Sequence, residues 1–310
     1  MLIDASINSA STMSDSSARS ESSRANPRDE VELVDTHAHL NFDAYKDDAD
    51  EVIRRSLGEG VWMINVGSHY ESSKKAVEIA EKYPEGIFAS VGLHPINLDT
   101  GLIRMKVDEI EGCRFEREFN YKEYKTLAKS KNVVAIGEIG LDYYWRPKTT
   151  AKKEIFKQKQ KDLLLKELEL AQELDLPVIF HCRMAHQDLI EILEERQATS
   201  DKKIKGAIHC FTGNQQEAKE YMKMGFYLGF NGIIFKFGLK EVIKNTPLER
   251  ILVETDCPYL SPPEFKKERN EPIAVKYVAK EIANIKNLSY EEIAEATTKN
   301  AKKLFTRLSF

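Results

Sequence analysis

Imidazoles and carboxylates gather in five short motifs, each at the C-terminal end of an apolar, β-rich run. They are Asp35-Thr36-His37-Ala38-His39, Gly137-Glu138, Phe180-His181, Ile208-His209 and Glu254-Thr255-Asp256. Such donors are what a divalent-cation site for hydrolysis requires. Alternate residues of a strand share a face, so Asp35, His37 and His39 are expected to point the same way. His37 and His39 can then reach one ion, with Asp35 placed to orient a ligand from below. Glu138 carries two oxygens and can bridge two cations, which an imidazole cannot. His181 and His209 close later runs, and Asp256 closes the last, with Glu254 two residues earlier on the same inward face. The expected partition is His37, His39, Glu138 and Asp256 around one ion, and Glu138, His181 and His209 around the other. Any one of these residues alone reads better as a satisfied buried polar group. Their convergence at one end of successive strands is what favours a metal centre.

Those positions require a scaffold that gathers strand ends. Candidate strands lie at 31–36, 61–67, 87–92, 133–138, 177–181, 205–210, 226–231 and 251–256. Between them, stretches 46–59, 71–83, 151–175, 187–197 and 214–224 place apolar residues at helical spacing. Eight strands, each followed by helix-like sequence, predict an α/β fold of the (β/α)8 TIM-barrel type, with its site at the C-terminal strand ends. An open doubly wound sheet is the alternative, and it lacks a Gly-rich dinucleotide loop after the first strand. Residues 95–116 form a charged excursion, expected to be a lid or substrate loop. The charge-laced stretch 151–175 reads as a solvated outer helix. Residues 272–307 read as two or three helices closing the barrel. One barrel domain over 31–310 is therefore expected behind a disordered tail, 1–30.

That tail holds nine serines and three arginines with hardly an apolar cluster, too little to bury on folding. It is read as a solvated extension in preference to a targeting segment. It also lacks the apolar core of a secretory signal. The whole chain is 42% hydrophobic and 31% charged, with no apolar run near the roughly 20 residues of a membrane helix. A net charge of −4 and a pI near 6.1 give no global basic footprint. That counts against a protein that coats nucleic acid, but not against an enzyme that touches it locally. Four scattered cysteines make no disulfide framework, so a reduced intracellular protein is expected, cytoplasmic by default, with nucleus or organelle left open. Cys182, Cys210 and Cys257 each follow a candidate ligand and should face the helix layer as small buried hydrophobes.

Eight motifs carry a family resemblance: DTHAHL (35–40), GLHP (92–95), GEIGLDYY (137–144), FHCRMA (180–185), HCFTG (209–213), GFNG (229–232), ETDCPYL (254–260) and RNEP (269–272). In order and without large gaps, they resemble the TatD-type metal-dependent deoxyribonucleases, a branch of the amidohydrolase-like barrels. The likeness spans residue 33 to about 306 and leaves the tail outside. It implies a TIM barrel that holds divalent metals and hydrolyses phosphodiesters, usually of DNA from the 3′ end. It also implies His37, His39, Glu138, His181, His209 and Asp256 as ligands, with His94 contacting the scissile phosphate or leaving group. One departure is the PPEFKKE segment before RNEP, where many members have a Gly-Lys pair. It leaves the shape of the loop after strand eight open, not the chemistry.

The expected enzyme is thus a 3′–5′ exonuclease on single-stranded DNA ends, with RNA a further candidate, acting as a monomer. Two divalent ions (Mg, Mn or Zn) would activate a water, with Asp256 accepting its proton and Glu138 and His94 completing the catalytic set. Arg183 either clamps a phosphoryl oxygen or pairs with Asp188 or Glu191. Tyr144 and Trp145 are candidates to stack on terminal bases, while Tyr143 is expected to pack its loop. Asp142 is expected to bond that loop's backbone or orient a metal-bound water. Arg146, Lys148, Lys236, Lys266, Lys267 and Arg269 form either a local basic rim or scattered solvated cations. A small-molecule amidohydrolase or phosphoesterase is the alternative enzyme. The fourth strand, VVAIGEIG, lacks the lysine that many such barrels carboxylate. A non-catalytic scaffold is disfavoured, because unused buried carboxylates and imidazoles are costly.

Overall fold

Short runs rich in Val, Ile and Phe fit a pleated surface buried on both faces. In the computed structural model, which describes residues 32–103, 114–265 and 269–308, they become eight strands. These are β1 (Leu33–Ala38), β2 (Val61–Val66), β3 (Ile87–Val91), β4 (Val133–Asp142), β5 (Val178–Arg183), β6 (Gly206–Ile208), β7 (Tyr227–Phe230) and β8 (Ile251–Val253). All neighbours pair in parallel, in chain order. The last seam forms just beyond β8. Ala38 bridges Cys257, His39 N donates to Cys257 O at 2.9 Å, and Asp256 N donates to His37 O at 2.8 Å. The sheet therefore closes into a TIM barrel.

The connecting helices are α1 (Ala49–Gly58), α2 (Tyr70–Glu81), α3 (Tyr121–Leu127), α4 (Thr150–Leu174), α5 (His186–Thr199), α6 (Gln215–Lys223) and α7 (Lys240–Asn245). Two more, α8 (Val275–Lys286) and α9 (Tyr290–Leu304), follow the last strand. The short α3 and α7 are additions to the expected set. One apolar cluster takes Val34, Ile64, Phe88, Val134, Ile179, Ala207, Tyr227 and Leu252 from the eight strands, and fills the barrel. Leu304, Phe305 and Leu308 join it from below, and Arg307 donates to the carbonyl of Val133, where β4 begins. The chain's C-terminal turn thus stops the N-terminal mouth, leaving the other end for a site. The alternate strand residues, such as Leu33, Met63, Ala89, Phe180 and Val253, pack against the helices.

The helix α4 is not merely a solvated outer element. Phe156, Gln160, Leu163, Leu164, Glu167, Leu168 and Ala171 form a buried stripe at three- and four-residue spacing, with two polar members. The excursion after β3 is pinned at its ends, where Leu98 bridges Glu116. Its residues 104–113, the tail 1–31, and Lys266 and Lys267 lie outside the described residues. No helix among the described residues is long and apolar enough to cross a membrane.

Candidate metal centre

The register of β1 on β2 shifts between Asp35 and Ala38, an extra residue that breaks strict alternation. Asp35 bonds no imidazole ring. Its carboxylate accepts from Thr255 N (2.9 Å), Thr255 Oγ1 (2.6 Å) and His37 N (3.2 Å), clasping β1 to the chain after β8. Burial pushes this carboxyl well above its usual range despite those donors. Beyond the shift, His37 and His39 both face the mouth, with their Nε2 atoms 3.1 Å apart.

Glu138 stands at the centre, on a strand that continues four residues past it to Asp142. Its Oε2 lies 3.3 Å from His37 Nε2. Its Oε1 faces the other side, 2.7 Å from His181 Nδ1 and 3.4 Å from both His209 Nε2 and His94 Nε2. Asp256 Oδ1 completes the first side, 3.4 Å from His39 Nε2 and 3.7 Å from His37 Nε2. The donor atoms form overlapping groups, each within 4.8 Å: His37/His39/Asp256, His37/Glu138/His209 and His94/Glu138/His181. All six expected ligands meet here, and each oxygen of Glu138 serves one side. Burial raises the Glu138 carboxyl, but His94, His209 and His37 outweigh it and hold the group well below its usual range. Burial likewise lowers His181 and His209, yet carboxylate neighbours prevail. Asp142 and Glu138 bring His181 to about 9, and Glu254 and Glu138 bring His209 to about 10.

The donor set fits divalent cations. His39 Nδ1–H donates to the Val66 carbonyl at 2.9 Å, and His209 Nδ1–H donates to Glu254 at 3.0 Å. Each bond fixes a tautomer and turns an Nε2 lone pair into the site, as ligating histidines require. The Nε2 atoms of His37 and His39, 3.1 Å apart beside two carboxylates, require a proton or a cation between them, and His37 Nδ1 has no hydrogen-bond partner to fix its tautomer. Mixed imidazole and carboxylate donors suit Mg, Mn or Zn. His94 is built differently. Its Nδ1 accepts from Ile96 N at 3.0 Å, which leaves the proton on Nε2 and makes the ring a donor toward Glu138. It therefore offers a hydrogen bond at the site, not a lone pair.

A cavity of about 200 Å³ opens above these groups, with Trp145, Arg183 and Tyr259 at its edge. Arg183 stacks on Tyr144, its Cζ 3.7 Å from the ring centroid. The pair expected as its alternative does not form at Asp188, which takes Lys161 (2.9 Å) and the Tyr143 hydroxyl (2.7 Å). Glu191 accepts from Gln187. Tyr143 is buried and packs its loop. Asp142 Oδ1 accepts from Tyr144 N at 2.8 Å while its Oδ2 faces His181 Nε2 at 3.2 Å, so it bonds both loop and ring. Lys236 is exposed, but Arg269 is not a free rim cation. It pairs with Asp48 at 2.6 Å, donates to Ala44 O and lies 4.2 Å over Tyr45. Cys182 and Cys257 are buried among apolar groups as expected, whereas Cys210 is not. It lies past the end of β6 with φ 44°, half-buried, its sulfur grouped with His209 and Asp256. Asp256 (φ 56°) and Met184 (φ 57°) share this left-handed backbone, a local strain common at functional loops.

Several supporting residues escaped the sequence reading. Gln160 clamps Asp142 through both backbone groups, at 2.9 and 3.0 Å, and Glu167 accepts from Leu93 N at 2.8 Å. Both stand in phase with the apolar stripe of α4, the signal that would have found them. Glu254, which the sequence already placed on the inward face beside Asp256, gathers His209, Cys210 N (2.7 Å) and Asn231 Nδ2 (3.0 Å) on its Oε1. Gly229 gives that carboxylate room, since a Cβ there would meet Glu254 Oε2 at 2.4 Å. Ser68, Asn97 and Tyr259 also line the cavity.

Comparison with known proteins places this geometry in context. The uncharacterized metal-dependent hydrolase YabD of Bacillus subtilis is 42% identical over 277 residues, 88% of this chain and 98% of that protein. The 3′-5′ ssDNA/RNA exonuclease TatD of Cronobacter sakazakii is 32% identical over 284 residues, 89% of this chain and 98% of that one. The crystal structure of the Escherichia coli K12 TatD homolog YJJV superimposes with a TM-score of 0.73 at 26% identity, covering 89% of this chain and 98% of that one. The family model described as TatD related DNase matches residues 34–306, and the chain belongs to that family of metal-dependent hydrolases.

Proposed function

We propose that the chain is a deoxyribonuclease that removes nucleotides from the 3′ ends of single-stranded DNA, using two divalent cations that share Glu138. The observation that carries this reading is the division of Glu138, with one oxygen toward His37 and the other toward His181 and His209. Divalent ions held there would neutralise phosphoryl charge and acidify a water. His37, His39 and Asp256 would hold one, and His181 and His209 the other. Asp256 is the most exposed carboxylate of the set, its side chain 16% accessible against 5% for Glu138, and accepts the proton of the attacking water. His94 Nε2–H donates to a phosphoryl or leaving oxygen. Arg183, held flat on Tyr144, brings a guanidinium to the cavity edge to meet the phosphate. Asp142 and Gln160 keep His181 and its loop in register. The named activity of the Cronobacter relative supports the choice of single strands and of polarity.

Hydrolysis of 3′- and 5′-labelled single-stranded DNA by purified protein, with Mg²⁺, Mn²⁺ or EDTA, tests the proposal. Metal-dependent shortening from the 3′ end, absent in Glu138→Ala, is expected. No cleavage with any metal, while metal binding is intact, would move a small-molecule hydrolase to first place.

A further inference from the structure

Among the described residues, the large apolar side chains standing exposed are Tyr144, Ile155, Met184, Phe237 and Tyr259. Scattered exposure of this kind is ordinary, but these are not scattered. Tyr144 follows β4, Met184 follows β5, Phe237 follows β7 and Tyr259 follows β8, so all but Ile155 ring the catalytic mouth. On one side, Tyr144 carries Arg183 on its face and meets Trp145 edge-on at 5.1 Å between centroids. On the other, half a barrel turn away, Tyr259 lines the same cavity as Trp145 and Arg183.

Within the cavity the charges favour stacking over phosphate tracking, while Arg146, Lys148 and Lys236 stand exposed on the loops after β4 and β7. The cavity floor holds Glu138, Asp142 and Asp256. Arg269 is paired with Asp48, and Lys161 with Asp188. Among the described residues, Arg183 is the Lys or Arg side chain lining the cavity.

We propose that the mouth binds unpaired nucleobases by stacking, between Arg183 backed by Tyr144 on one side and Tyr259 on the other, and selects single strands because a base inside a duplex has both faces covered by its neighbours and a terminal one still carries its partner. This rests on the nuclease reading and adds to it the recognition surface. Every base presents a π-face, so recognition is independent of sequence.

Fluorescence anisotropy with labelled, hydrolysis-resistant phosphorothioate 12-mers and the metal-loaded full chain tests it. Single strands should bind at least about tenfold tighter than the blunt duplex. Tyr144→Ala and Tyr259→Ala should each weaken single-strand binding about 5- to 150-fold, the worth of one stacked base, and Tyr→Phe at each position should restore it. With one or two phosphates neutralised, log K should fall with log salt at a slope of about −0.7 to −1.4. A slope steeper than about −3, with the Tyr→Ala variants binding normally, would overturn stacking while leaving the nuclease intact. Failure to bind or cleave any nucleic acid, by a chain that still hydrolyses bis-p-nitrophenyl phosphate, would remove both readings.

Discussion

Glu167 lies fully buried on α4, two helical turns from Gln160, and holds the amide of Leu93, the residue before His94. Its Oε1 accepts at 2.8 Å and its Oε2 has no hydrogen-bond partner. Burial, with Glu116 adding to it, pushes the carboxyl well above its ordinary 4.5. Between the unfolded and folded pKa values the native state then binds the extra proton, so stability contributed here is lost as pH rises. Glu167→Gln keeps an acceptor for Leu93 and cannot ionise. It should equal the wild type below about pH 4 and become the more stable of the two at pH 7–8. Glu167→Leu strands a buried N–H and should be about 1–3 kcal/mol less stable than the Gln variant at every pH. It should also slow turnover, because the His94 loop loses its anchor. Urea unfolding of the three proteins from pH 4 to 8 reads these differences directly. Parallel wild-type and Glu167→Gln curves across that range would refute a protonated Glu167.

Three further outcomes follow from neighbouring groups. Glu254→Gln should lower metal affinity or activity by about 10–100-fold with the fold intact, because His209 loses its carboxylate partner; metal titration and circular dichroism check this. Gly229→Ala drives a methyl against Glu254 Oε2 and should produce the same metal defect without touching a ligand, again measured by titration. Arg269→Ala removes the Asp48 pair and the packing on Tyr45, and should cost about 1–2 kcal/mol in thermal or urea unfolding. Single-strand affinity and its salt slope should not change, since Arg269 is committed to Asp48.

The barrel was legible because the strands are short apolar runs, five of them ending in a metal-type side chain, and the longer helices between them are amphipathic. What period-two reasoning could not see is the extra residue in β1. Nor could it see that Asp35 bonds no imidazole ring and is instead the clasp between the first and last strands. The same rule failed at Cys210, because β6 ends at Ile208 and the next residues turn through left-handed backbone. Gln160 and Glu167 were hidden in a charge-laced helix, where composition spoke for solvent while phase spoke for burial. Arg269 looked like a free cation because its partner Asp48 lies 221 positions away in the chain. The helices α3 and α7, of seven and six residues, are too short to show a periodic face.

The sharing of Glu138 is tested most directly by Mn²⁺ equilibrium dialysis on the wild type, Glu138→Ala and Asp256→Asn. The wild type should hold two ions per chain. Glu138→Ala should weaken both, whereas Asp256→Asn should weaken only the one beside His37 and His39. A wild type that binds a single ion, or a Glu138→Ala variant that binds two with undiminished affinity, would contradict a shared carboxylate.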